Sequence, residues 1–405
     1  MMGFKPRDGG DVEEAVRWAL GAGKTLEVLG RGSKRARGRP AQWDASLDLS
    51  GLTGVTLYEP EELVLSAKAG TSLKEIEALC AAHGQELAFE PIDYGAVLGA
   101  APGQGSIGGA LAANASGPRR IKAGAARDHL LGLTAVSGRG ETFKTGGRVV
   151  KNVTGYDLCK LMAGSWGTLA AMTEVTVKTL PKAETETSVL VLGLAPQEAV
   201  QAMAAATGSS CDVSGAAHLS ASVAARAVPG EGRAITAWRL EGVAPSVAHR
   251  RDVLARLMQP FGATVFLECE GSRALWQAVR DAHPFAAGGP AGERVLWRLS
   301  TAPAQGAALS AMIARAVDVE IMLDWAGGLV WAAVAGCNDG GAALVRKAVK
   351  ACGGHATLVR APAALRAAVD VFEPPEGALA GLTRRVKDSF DPQGVLNRGR
   401  MWAGL

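Results

Sequence analysis

Apolar positions along the first ~180 residues alternate between two periods. From Val12 to Ala22 they recur on one helical face, with Val16, Ala19 and Leu20 in register, and predict an amphipathic helix. A short apolar strand, Thr25 to Leu29, follows and ends in the turn Gly30-Arg31-Gly32-Ser33-Lys34. Gly54 to Tyr58 and Leu63 to Ala67 read as strands, and Leu73 to His83 as a helix with Thr71 or Ser72 as its N-cap. Glycine is densest from Gly95 to Gly117. Further strands are predicted at Leu131 to Ser137 and Ala171 to Lys178, before a boundary at Pro181 and the polar run Lys182 to Thr187.

From Ser188 onward strand and helix patterns alternate. Strands are predicted at Ser188 to Leu194, Ala234 to Leu240, Thr264 to Leu267, Arg294 to Leu299, Val319 to Leu323 and Leu329 to Val334. Helices are predicted at Val247 to Met258, Arg273 to Ala282, Gln305 to Val317 and Ala342 to Ala351. This succession suits an α+β unit, an antiparallel sheet covered by helices. A Pro-rich break at Phe372 to Gly377, a helix from Leu379 to Ser389 and a turn-rich tail close the chain. No internal repeat is visible. The expected division is 1–181, 188–370 and 371–405, the last segment returning to the first.

Charge changes little in this picture. The 43 Lys and Arg residues stand against 39 Asp and Glu, a formal +4 that argues against a nucleic-acid partner. No apolar run reaches the ~18 residues of a membrane span, and Met1 to Gly10 shows no apolar leader core. The cysteines at 80, 159, 211, 269, 337 and 352 form no C-x-x-C pair. They read as buried free thiols of a reduced compartment, with no cysteine-held iron–sulfur cluster. No two histidines fall at a zinc or mononuclear iron spacing, so no metal is expected. Most of the nine Trp are expected to fill a core or a subunit interface.

The chemistry lies in the glycines. A phosphate needs several backbone N–H groups aimed at one point, and only glycine lets the chain come that close. Gly30 to Lys34 is one such place. The other is Pro102-Gly103-Gln104-Gly105-Ser106-Ile107-Gly108-Gly109, which contains G-x-G-x-x-G. A dinucleotide fold of the Rossmann type requires a buried strand before that motif, and the breakers between Gly95 and Pro102 argue against one. Taken alone, the motif leaves an ordinary loop without ligand as the alternative. The basic run Arg31, Lys34, Arg35, Arg37, Arg39 lacks interleaved aromatics, so it reads as a solvated or a diphosphate-facing loop.

Four blocks in order carry a resemblance. They are Val28 to Lys34, Gly103 to Gly117, Arg127 to Val136, and Lys151 to Leu161 followed by Gly164 to Leu169. In these the chain resembles the flavin domain of the vanillyl-alcohol oxidase / p-cresol methylhydroxylase (PCMH) family. The resemblance implies an FAD-binding domain of two α+β subdomains plus an antiparallel-sheet α+β cap. It implies a diphosphate held by Gly30, Arg31, Gly32, Ser33 and Lys34, and by Pro102, Gly103, Gly105, Ser106, Ile107, Gly108, Gly109, Asn114 and Gly117. It lays Val153, Gly155, Tyr156, Asp157 and Leu158, then Gly164, Ser165, Gly167, Thr168 and Leu169, along the isoalloxazine and ribityl chain. Ile107, Val153 and Leu169 would pack on the ring, with Ser165 and Thr168 bonding near its nitrogens. The segment Gly30 to Gly38 holds no His, so the FAD is expected to be non-covalent.

Within the family, the tail Phe390 to Met401 resembles that of the FAD-binding subunits of bacterial glycolate oxidases. Trp166 stands where catalytic relatives carry Glu, and Arg398 where Pro is usual. That resemblance implies a complex that oxidises glycolate, with a sister FAD-containing catalytic subunit and an iron–sulfur subunit. It implies a cytoplasmic location, with peripheral membrane association through partners. The catalytic residues stay unassigned. The alternatives are a non-catalytic subunit that FAD stabilises, and a stand-alone oxidase of D-lactate or a sugar lactone.

Overall fold

In the computed structural model, residues 2–148 and 155–405 are described. Three short parallel strands come first, with Ala45–Asp48 between Met2–Phe4 and Leu26–Leu29. The helix Gly9–Ala22 covers them with Val12, Ala15, Val16 and Ala19. It starts three residues before the predicted Val12, because the Asp8 carboxylate caps the amide of Asp11 at 3.0 Å. Met2–Phe4 and Ala45–Asp48 are too short to show a period, and the sequence pattern misses both.

A five-stranded antiparallel sheet follows, in the order Val55–Glu59, Val64–Lys68, Ala170–Lys178, Leu130–Ser137, Thr142–Gly146. The last of these carries no buried position and was not predicted. The helix Leu73–Ala82 docks through Ile76 and Cys80, beside Phe89, Leu133 and Val175.

The largest sheet has eight strands, all antiparallel. Its strand order repeats, although no repeat is visible in the sequence. Thr185–Leu192, Gly215–Leu219, Ile235–Gly242 and Thr264–Leu267 form one β-α-β-β-α-β unit with the helices Pro196–Thr207 and Ala244–Met258. Val295–Ser300, Val319–Asp324, Leu329–Val334 and His355–Arg360 form a second with Gly306–Ala314 and Ala342–Cys352. Numbered within each unit, the strands lie in the order 4-1-3-2, and the second strands pair antiparallel, His218 with Leu323 and Leu219 with Met322. The repeat lies in strand order rather than in side chains. The polar stretch read as a boundary already enters this sheet at Thr185, because Glu186 is held by Ser272 and Arg273.

Alternation along these strands separates two apolar faces. Val189, Trp238, Leu299 and Leu358 face the four helices of the repeat. Leu190, Ala237, Met322 and Trp331 face the other way, onto Ile92, Tyr94, Val97, Ala110 and Ala115. The second glycine-rich segment therefore lies against the sheet. Buried Trp238, Trp276, Trp297 and Trp331 fill both layers. Cys80, Cys159 and Cys211 are buried free thiols, whereas Cys269, Cys337 and Cys352 are only half-buried, since each lies near an element end rather than in its core.

Ion pairs cross the same interface. Arg239 on the sheet holds Glu90 at 2.8 and 3.0 Å, and Arg119 pairs with Glu86 and Glu241. Burial opposes the Glu90 charge, but Arg239 and Arg119 outweigh it and hold the carboxyl below its usual range. Glu90→Gln is expected to cost about 3 kcal/mol in denaturant unfolding, because Arg239 loses its main partner. Lys122→Ala, at a half-exposed pair with Asp212, costs under about 1 kcal/mol.

The tail returns to the first sheet. Leu26 donates to Val395 at 2.8 Å, and Asn397 donates back to Leu26 at 3.0 Å. Ahead of it the Asp391 carboxylate accepts the amides of Val395 and Leu396 and the ammonium of Lys387.

Candidate functional site

The strand Leu26–Leu29 delivers the first glycine bend, and Ser106, the N-cap of the short helix Ile107–Ala112, delivers the second. The bends face one another. A Cβ on Gly30 would lie 2.6 Å from the Ser106 hydroxyl, and one on Gly109 would lie 3.0 Å from it and 3.5 Å from the Lys34 ammonium. Gly108 lies against the chain at Ala69, where a Cβ would come within 2.8 Å of the Ala69 carbonyl. Gly32 turns through φ +75°. The amides of Gly32, Ser33 and Lys34 have no acceptor among the described residues.

Between the bends runs a cleft of about 710 Å³, open on one side. Its walls are apolar at Val28, Leu49, Ala69, Ala112, Ala170 and Met172. Its rim is cationic, with Arg31, Lys34, Arg35 and Arg400. Glu27 is the buried carboxylate beside them, and it is engaged by Arg35 at 2.9 Å and Arg400 at 3.9 Å. Burial pushes the Lys34 ammonium down to about 8, and the cations Arg37 and Arg400 add to the fall while Asp93 opposes it. Burial likewise brings Arg400 down to about 10. Free amides, surplus positive charge and apolar walls fit a dinucleotide with a diphosphate bridge.

A pH dependence follows. A diphosphate beside Lys34 holds its proton, so the ammonium's pKa rises above 8 on binding. Between the two values binding takes up a proton, and affinity falls by up to about tenfold per pH unit as pH rises through that window. Calorimetric titration of FAD near pH 8.5, in buffers of different ionisation heat, is expected to show uptake in the wild type and none in Lys34→Met.

A second cluster sits where the eight-stranded sheet meets the cleft. Trp166 adopts φ +56°, with its amide on the Ala112 carbonyl at 2.9 Å and its own carbonyl held by the Asn397 amide at 2.8 Å. Its ring lies 5.4 Å from Phe372 and 4.8 Å from the Arg37 guanidinium, which also stacks on Tyr94 at 4.3 Å. The buried Nε of Arg37 has no partner among the described residues. Arg120 and Arg298 lie over the Trp325 ring at 4.3 and 4.9 Å. Burial lowers the Arg298 pKa, and the like charges of Arg37 and Arg120 lower it further. Among the described residues no carboxylate pairs with Arg37, Arg120 or Arg298. Burial pushes the neighbouring Asp324 carboxyl up to about 7, against the bond it accepts from the Trp325 amide.

The residues singled out from sequence divide into groups. Gly30 to Lys34, Ser106, Gly108, Gly109 and Gly167 line the cleft. Pro102, Gly103 and Gly105 stand outside its lining: the Gly103 amide is tied to Asp93, and Gly105 makes room for Leu73. Ile107 points into the protein core and Leu169 packs there too. Asn114 takes the Arg127 amide at 3.0 Å, and Gly117 offers its carbonyl to the Trp325 indole at 2.9 Å. Asp157 caps the helix Leu158–Met162 through the Lys160 amide at 3.2 Å, Gly155 precedes it, and Tyr156 is 91% exposed. Gly164, Ser165, Thr168 and Leu169 line a different cavity. Val153 lies outside the described residues. The sequence reading missed Ala69, Met172, Arg400, Tyr94 and Arg298. Of these missed positions only Met172 carried a local signal, its i, i+2 spacing from Ala170 on one strand face.

Residues 3–146 match the family described as an FAD binding domain. Glycolate oxidase subunit GlcE of Escherichia coli (strain K12) is 31% identical over 394 residues, 97% of this chain and 97% of its own length. Glycolate oxidase subunit GlcD of Bacillus subtilis (strain 168) is 45% identical over 87 residues, 22% of this chain and 18% of its own. Among solved structures, 4-ethylphenol oxidase from Gulosibacter chungangensis superposes with a TM-score of 0.71 at 15% identity, over 99% of this chain and 89% of that one. The cofactor of the matched family is FAD, and the cleft suits it.

Proposed function

This chain belongs to the family of FAD-binding glycolate oxidase subunits, and on that premise we propose that it carries FAD in a multi-subunit enzyme oxidising glycolate to glyoxylate. The observation that carries the reading is the meeting of the two bends over Lys34, where the amides of Gly32, Ser33 and Lys34 have no acceptor among the described residues. Gly32, Ser33 and Lys34 bind the diphosphate, and Ser106 and Gly109 close on it from the second bend. Residues 1–181 hold the cofactor, 185–370 form the cap, and 371–405 clamp the first bend through Asn397. With no His in the first bend, the FAD is non-covalent.

Bound FAD would supply a two-electron acceptor. The chain's own residues do the rest. Trp166 and Tyr94 exclude water beside the cleft, and their rings hold Arg37 in place. Arg120 and Arg298 have no carboxylate partners among the described residues, which suits the carboxylate of a small 2-hydroxy acid. A sister flavin subunit and an iron–sulfur subunit complete the enzyme. No described helix is long and apolar enough to cross a membrane. We place the complex in the cytoplasm or on the inner membrane face, held there by partners.

The test is direct. The purified full chain is expected to be yellow, to release its flavin into the supernatant on acid precipitation, and to regain colour with FAD but not with riboflavin. A colourless chain with no affinity for FAD contradicts the reading.

A further inference from the structure

Residues 93–103 lead into the second bend. Within them the Asp93 carboxylate accepts two amides, Gly95 at 2.9 Å and Gly103 at 2.5 Å, so one side chain closes the segment into a loop. The loop is tight, since a Cβ on Gly95 would lie 2.8 Å from the Ala101 carbonyl. Gly103 leaves it through φ +74°, just ahead of Gly105 and Ser106.

Among the described residues, three hydrogen bonds hold this loop from outside, and all three run to the cap. The Asp281 carboxylate, just past the helix Cys269–Arg280, accepts the Asp93 amide at 2.9 Å. Ala287 donates its amide to the Ala96 carbonyl at 2.9 Å. Arg360, at the end of the strand His355–Arg360, donates to the Val97 carbonyl at 3.0 Å. Arg280 fixes the Asp281 carboxylate through two bonds of 2.8 Å. Beyond Ser106 the support changes: Ile107 and Gly108 donate to the Thr71 and Ala69 carbonyls at 3.0 and 2.9 Å. Ser106 therefore stands where a loop held by the cap joins a helix held by residues 1–181.

We propose that Asp281 and Asp93 are positioning residues for the cofactor. Asp281, on the cap, sets Asp93, and Asp93 sets through the Gly103 amide how closely Ser106 and Gly109 approach the diphosphate. The inference rests on the FAD reading above. It gives the cap a part in cofactor affinity, although no residue of 185–370 lines the cleft between the bends.

Positioning and charge predict opposite signs at Asp93. Its charge opposes the fall of the Lys34 pKa, so it is felt in the cleft. Removing a negative charge beside a diphosphate tightens binding if charge is all that matters. Asparagine, however, offers one acceptor oxygen where aspartate offers two, so Asp93→Asn frees one of the two amides and loosens the loop.

The test titrates FAD into the flavin-stripped full chain, with the folded fraction of each variant measured alongside. Asp93→Asn is expected to bind FAD about tenfold more weakly. Asp281→Ala is expected to lose about tenfold as well, and Asp281→Asn, whose amide oxygen still accepts the Asp93 amide, to stay within about threefold of the wild type. Because the two residues act in series, the double variant Asp93→Asn/Asp281→Ala is expected to bind about as weakly as Asp93→Asn alone. Lys122→Ala breaks the pair with Asp212 across the same interface without touching the loop, and is expected to leave FAD affinity unchanged. Wild-type or tighter binding by Asp93→Asn overturns the proposal, and so does wild-type binding by Asp281→Ala. Asp281→Asn as weak as Asp281→Ala, or a double variant in which the two losses multiply, overturns the relay. Each of these outcomes leaves the FAD reading standing, whereas a wild type without affinity for FAD overturns that reading and the positioning roles together.

Discussion

Gly32→Val is expected to weaken FAD binding by at least about a hundredfold while the chain stays folded. Gly32 has φ +75° and open space around the position of its missing Cβ, so valine meets no clash. It meets backbone strain, because a β-branched residue avoids that conformation. The bend relaxes and the amides of Gly32 and Ser33 turn away from their common point. Two hydrogen bonds to a charged phosphate are worth about 3 kcal/mol together, or roughly a hundredfold in affinity. Gly23→Val is the control. Gly23 has φ +63° with nothing near its Cβ position, but it ends the helix Gly9–Ala22 outside the cleft. Both variants are expected to lose similar melting temperature, and only Gly32→Val to lose FAD. Equal FAD affinity in the two would remove the first bend from the site.

Asp391→Ala is expected to destabilise the chain by about 3–5 kcal/mol at neutral pH, the cost of leaving a buried cation without its partner. The Asp391 carboxylate is fully enclosed and holds the Lys387 ammonium at 2.6 Å, the Val395 amide at 2.8 Å and the Leu396 amide at 2.8 Å. Burial lowers the Lys387 pKa even with Asp391 present. Without the carboxylate it falls further, so the folded state sheds this proton at lower pH than the unfolded chain. Stability then rises with pH through that window, and the deficit of the variant shrinks as pH approaches the ordinary lysine value. Denaturant unfolding at several pH values reads this. A deficit that grows with pH contradicts the buried-cation account.

These two residues also show what the sequence makes legible. Gly32 belongs to a motif, since strand, glycine turn and basic residue follow one another within a few positions and need no distant contact to be recognised. The same holds for Ser106 to Gly109. Asp391 lies in a tail whose role depends on pairing with Leu26, more than 360 positions earlier, and no local period reports that pairing. Most strands and helices of the large sheet are visible because burial sets their apolar spacing, but the strands Gly215–Leu219 and His355–Arg360 and the helix Pro196–Thr207 are not, because the first strand is buried throughout without alternation and the helix is rich in alanine. The sheet's repeat is not visible, because two packed copies of one topology need share no side chains. Arg298 and Tyr94 look like ordinary strand and loop residues until the sheet brings them beside Arg37 and Trp166. Gly103 shows the converse. It matches the motif, yet Asp93 and Lys74 claim its surroundings.

An experimental structure of the full chain with FAD bound tests the central claim most directly. The account expects the diphosphate oxygens within hydrogen-bond distance, about 2.7–3.2 Å, of the Gly32 and Ser33 amides and the Lys34 ammonium, with Ser106 and Gly109 closing from the opposite bend. A diphosphate seated away from both bends, beside Gly103 or in the cavity under the C-terminal helix, would contradict it.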